Sequence, residues 1–119
     1  MKLQVDLDIS KEDISSMLTS ALEGGSNYWY NIIKVKNPNK CEYYSDIPLN
    51  GGSIYFEHDD GSGHKQCNKP LDEELIAKGL IIMSKKFSRH FSDLIEDNAD
   101  AETGDVFLQC CLFGDVPYG

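Results

Sequence analysis

No lysine or arginine follows Arg89 in this chain, although Asp93, Glu96, Asp97, Asp100, Glu102, Asp105 and Asp115 do. Over 119 residues, 20 acidic side chains stand against 11 basic ones, a formal net charge of −9. Duplex DNA repels such a chain, so direct nucleic-acid binding is not expected. A local pocket for a small anion remains compatible with that charge. The acidic C-terminal third reads as a solvated surface, or as a face for a basic partner protein. Long apolar runs are also missing. None approaches the roughly 20 residues of a membrane helix, and Met1 to Asp6 lacks the apolar centre of a signal peptide. No C-x-x-C pair occurs among Cys41, Cys67, Cys110 and Cys111, and adjacent Cys110 and Cys111 cannot easily bond to each other. The reading is a reducing, cytoplasmic location with buried thiols and no membrane association.

Catalytic signatures are absent too. Cys41, His58, His64 and Cys67 lack the short ligand spacing of a zinc site. Asp97 to Asp105 has the oxygen density of a calcium loop without its register or its closing glutamate. No nucleophile elbow or phosphate loop is present. Three histidines and four cysteines allow many nucleophile and base pairings, and nothing selects one. No catalytic residue, metal ligand or cofactor is therefore expected.

What is present is enough for one domain, residues 1–119, with a core of its own. Lys2 to Asp8 alternates as a half-buried strand. Ile14, Met17, Leu18, Ala21 and Leu22 form a helical stripe, predicting a helix over 11–23 that Gly24-Gly25 ends. Ser26 to Val35 is aromatic and β-branched, a strand pattern. Asn37-Pro38-Asn39 is a turn, and 41–52 reads as a loop. Ser53 to His58 and Lys65 to Asn68 predict a hairpin around Gly61. Helices are expected over 72–86, capped by Asp72, and over 102–113, with Val106, Phe107, Cys110 and Cys111 buried and Gly114 as the stop. A short helical turn fits Phe91 to Ile95. The fold class is α+β: a small antiparallel sheet with two or three helices packed on one face.

Gly24 to Tyr30 is the segment with the most to offer a ligand. Gly25, Ser26 and Asn27 supply hydrogen-bond donors of the kind that cradle an anion, and Tyr28 and Tyr30 supply faces on which a base can stack. Strand alternation places Tyr28 and Tyr30 together and turns Trp29 to the core with Ile33 and Val35. The competing reading is a helix cap followed by a core strand with large aromatics.

Ala21 to Tyr30 (ALEGGSNYWY) and Asp105 to Gly119 (DVFLQCCLFGDVPYG) resemble a family of small proteins of unassigned function in bacteriophages and prophages of gut bacteria. The family pattern carries an alanine-like residue where Cys110 or Cys111 stands and a valine near Pro117. Lys36 to Asp72 lies outside the resemblance. It implies a phage-borne accessory protein in the bacterial cytoplasm and supplies no catalytic residues. The function expected from it is binding: sequestering a nucleotide-like signal, which would counteract host defence, or occluding a basic host protein. A small enzyme and a phage structural or packaging factor are the alternatives, and self-association stays open.

Overall fold

The computed structural model describes residues 9–25, 28–59, 63–96 and 98–118. The strand expected over Lys2 to Asp8 lies outside them, as do Ser26 and Asn27. Four α-helices are observed among the described residues: α1 Lys11–Ser20, α2 Glu73–Lys86, α3 Ser88–Ile95 and α4 Ala101–Phe113. Three begin at polar side-chain caps, of which Asp72 is the one expected from the sequence. The Ser10 hydroxyl accepts from the Asp13 N–H at 3.1 Å, the Asp72 carboxylate from the Leu75 N–H at 2.8 Å, and the Asp100 carboxylate from the Thr103 N–H at 2.9 Å. The Thr103 backbone N–H, then its hydroxyl, hold the Asp100 carboxyl below its ordinary range. Gly114 ends α4 with φ of 71°, where a side chain would be strained, and its N–H reaches the Cys110 carbonyl at 3.0 Å. α1 stops three residues earlier than the 11–23 expectation, because Ala21–Gly25 widens into a π-helical turn that kinks at Gly24. The expected loop over 41–52 contains two short 3₁₀ turns, Tyr44–Asp46 and Pro48–Asn50.

The sheet runs β1 Tyr30–Lys36, β2 Ser53–Asp59 and β3 His64–Gln66, antiparallel and in sequence order. Tyr30 pairs with His58 and Lys36 with Ser53. A β-bulge between Ile32 and Lys34 breaks the register. It also corrects the expected facing. Ile32 and Val35 are half-buried against the core, whereas Ile33, expected inward with Trp29, sits at the bulge and is 45% exposed. In β2, Ile54 and Phe56 are buried, and Ser53, Tyr55 and Glu57 between them are half-exposed, so the sheet has one core face and one wet face. This is the α+β class read from the sequence, with four helices rather than two or three.

α4 is the centre of the core. Thr103, Gly104 and Val106 through Cys111, Gln109 included, are all buried, the pattern of a helix covered on every side. α2 and α1 both pack on it. They approach closely because glycine stands at each crossing. A Cβ on Gly79 of α2 would lie 2.8 Å from Cys111 Cα, and one on Gly104 of α4 would lie 2.8 Å from the Met17 carbonyl oxygen of α1. No helix among the described residues is long and apolar enough to cross a membrane.

Candidate functional site

Asp105 and Gln109 lie one turn apart on α4 and so share a face. That face looks toward the chain just before β1. The Asp105 carboxylate accepts three hydrogen bonds: from the Trp29 indole Nε1 at 2.8 Å, from the Tyr28 hydroxyl at 2.6 Å and from Gln109 Nε2 at 3.0 Å. Gln109 then holds the C-terminal tail with both ends of its amide. Its Oε1 accepts from the Tyr118 N–H at 2.9 Å, and its Nε2 donates to the Tyr118 carbonyl at 3.1 Å. The amide thus does for the tail what a neighbouring strand would do. The Tyr118 ring lies parallel to the Trp29 ring, 4° apart in plane and 5.4 Å between centroids. Phe113 leans on both rings, and His58 of β2 meets the Tyr118 hydroxyl through Nδ1 at 2.6 Å. An aromatic cluster around the buried Trp29 is therefore pinned by one carboxylate and one amide from a single helix.

The residues expected to form a ligand site fall differently around this cluster. Gly25 closes the π-helical turn, and Ser26 and Asn27 lie outside the described residues. Tyr28 sits in the turn before β1, its ring 59% exposed although its hydroxyl is tied to Asp105. Partial burial of the hydroxyl, then the bond to the adjacent carboxylate, push its pKa up to about 12. Trp29 is core, as expected, at 2% exposure. Tyr30 does not share the Tyr28 environment. It is the first residue of β1, its ring meets Phe56 edge-on at 5.2 Å, and its hydroxyl donates to the Leu22 carbonyl at 3.0 Å. Burial raises its pKa to about 12. Of the two tyrosines, Tyr28 is the one that offers an open ring. The sequence pattern assigns neither Asp105 nor Gln109 to a site. Its signal was an i, i+4 pair of polar residues inside an otherwise apolar helix.

The remaining reactive groups are placed for packing. Cys67 and Cys110 are buried, and that burial pushes their thiols up to about 11; burial raises Cys111 in the same direction. Such thiols stay protonated at neutral pH. No three His, Cys, Asp or Glu side chains gather as metal ligands among the described residues. His90 turns a buried Nδ1 toward the protein without a hydrogen-bond partner, while its Nε2 is 4.0 Å from Glu102. An apolar groove of about 370 Å³ runs between Ile9, Ile14, Leu80, Ile81 and Phe91 and shares no residue with the aromatic cluster. No protein-family model matches this chain, and no curated protein or solved structure matches it either.

Proposed function

We propose that the chain is a non-enzymatic accessory protein that acts by binding, with the Tyr28 ring as the anchor for a nucleotide-like ligand. One observation carries this reading: Tyr28 is 59% exposed, yet its hydroxyl is tethered 2.6 Å from a carboxylate that two other donors also meet. A ring already held in place loses little freedom when a ligand arrives. Stacking of one base on such a ring contributes about 1–3 kcal/mol. Gly25, Ser26 and Asn27, immediately before it in the chain, are the proposed donors to the ligand's polar groups. The protonated, buried thiols of Cys67, Cys110 and Cys111 speak against those three as nucleophiles. In the phage setting implied by the resemblance, the ligand is a signalling nucleotide of the host, and sequestering it counteracts host defence.

The test is mass spectrometry of small molecules released on denaturing the purified protein, followed by binding isotherms with the compound recovered. The expected result is a nucleotide-like compound returned unaltered. Tyr28→Ala should weaken its binding by about 1–3 kcal/mol with little change in melting. A chemically converted product would favour an enzyme, and co-purification of a basic host protein in place of any small molecule would favour occlusion. Tyr28→Ala binding as tightly as the parent would remove the anchor from the proposal.

A further inference from the structure

The wet face of the sheet carries a second, independent feature. Strict alternation from inward Tyr30 and Ile32 would send Lys34 and Lys36 into the core. The bulge at Ile33 reverses the facing from that point, so Val35 turns inward and both lysines turn outward. Lys34 then stands opposite Tyr55 of β2, with Nζ 4.6 Å from the ring centroid, and Lys36 Nζ is 5.3 Å from the same centroid. Two ammonium groups are therefore gathered over a single tyrosine ring, an attractive arrangement for each cation alone but a repulsive one for the pair. Neither lysine makes an ion pair among the described residues. Glu57, on the same strand and face as Tyr55, lies 3.7 Å from His64 instead. In a chain with 20 acidic residues and 11 basic ones, two neighbouring lysines without a carboxylate stand out.

We propose that Lys34 and Lys36, seated on Tyr55, bind the phosphate group of a small phosphate monoester on the outer face of the sheet. A dianion bridging the two ammonium groups removes their mutual repulsion and matches their combined charge. The overall charge of −9 selects for size. Screening at physiological salt acts over about 8 Å, so a compact anion in contact with the lysines feels chiefly those two charges. An extended polyanion also meets the acidic remainder of the surface and is repelled. The site lies on the opposite side of the sheet from Trp29 and does not rest on the Tyr28 reading.

The experiment is an NMR titration of the full chain with inorganic phosphate, with a nucleoside monophosphate and with a single-stranded oligonucleotide. Phosphate and the monophosphate should both shift the Tyr55 ring and Lys34 signals saturably. Lys34→Gln or Lys36→Gln should weaken each by about tenfold, the loss of one charge-assisted contact, and the double variant should abolish binding. Lys40→Gln should bind as the parent does, and unchanged melting curves should show that the variants fold. Tighter binding of the monophosphate than of phosphate would assign the site to phosphorylated organic molecules, and equal affinities to the phosphate group alone. Unchanged affinity in the double variant would overturn the proposal. So would an oligonucleotide binding more tightly than the monophosphate at physiological salt.

Discussion

Replacing Asp105 by alanine isolates what holds the aromatic cluster together. Three donors lose an acceptor, and their costs differ. The Tyr28 hydroxyl, on a residue 59% exposed, can turn to water. Gln109 Nε2 keeps the Tyr118 carbonyl at 3.1 Å. The Trp29 Nε1 has no such substitute, because the residue is 2% exposed. A buried donor left without a partner costs about 1–3 kcal/mol, and a bond to a charged acceptor sits toward the upper end. Asp105→Ala should therefore destabilise by about 2–3 kcal/mol. Asp105→Asn should cost under about 1 kcal/mol, since its amide oxygen still accepts from Trp29 and Gln109. Urea unfolding followed by fluorescence is the natural assay, because Trp29 is the single tryptophan and reports on its own surroundings. Equal losses for alanine and asparagine would show that charge, not an acceptor, is what the cluster needs. A loss below about 0.5 kcal/mol for alanine would show that the indole N–H finds another partner, and the account would fail.

Gly79→Ala should destabilise by about 1–3 kcal/mol, against the usual gain for such a change inside a helix, because the new Cβ meets the Cys111 backbone at 2.8–2.9 Å; a chemical melt showing stabilisation would refute the tight α2–α4 crossing. Tyr30 has its pKa raised from 10.0 to about 12. Its folded-state contribution is therefore complete below pH 10 and is lost as pH rises toward 12. Parent protein should lose stability more steeply than Tyr30→Phe across that window, measured by unfolding at fixed temperature. All four cysteines are free thiols, three of them buried. Under native conditions a thiol reagent should react rapidly only at Cys41, and at Cys67, Cys110 and Cys111 only after denaturation.

The elements were legible where one local signal decides them. Asp72 marks a helix start with a short polar side chain, and Gly114 marks a stop, so α2 and α4 lie within a residue of their expected positions. Alternation in Ser53 to His58 gave β2 in the same way. What local pattern could not give was anything that depends on a partner. The facing of Ile33 was misread because a bulge is a property of two paired strands, and the count from Trp29 assumed one unbroken strand. Alternation in fact begins only at Tyr30, one residue after Trp29, so Tyr28 and Tyr30 end in different surroundings. Asp105 was counted with the acidic surface of the C-terminal third. Its half-buried carboxylate instead serves residues more than seventy positions earlier in the chain, a distance no periodicity analysis spans.

The chain around Tyr28 to Tyr30 and the chain from Asp105 to Tyr118 stand far apart in the sequence and meet in the structure. Asp105 accepts from Tyr28 and Trp29, and Tyr118 stacks on Trp29. Each segment thus supplies the other with packing and hydrogen bonds, which is reason enough for both sequences to be specific. Most of that specificity is spent inside: Trp29, Phe107 and Gln109 are 2% exposed or less. Residues so buried report the fold before they report a ligand. Function then has to be sought in what those segments leave on the surface and in what lies between them. From the first, the exposed part is the Tyr28 ring. Between them, in the stretch from Lys36 to Asp72 and the strand that leads into it, the exposed chemistry includes the pair of lysines over Tyr55. A relative of this chain that keeps the aromatic cluster but replaces Lys34 and Lys36 should keep the fold and lose the phosphate site, which makes the two surfaces separable by measuring stability and phosphate binding on the same protein.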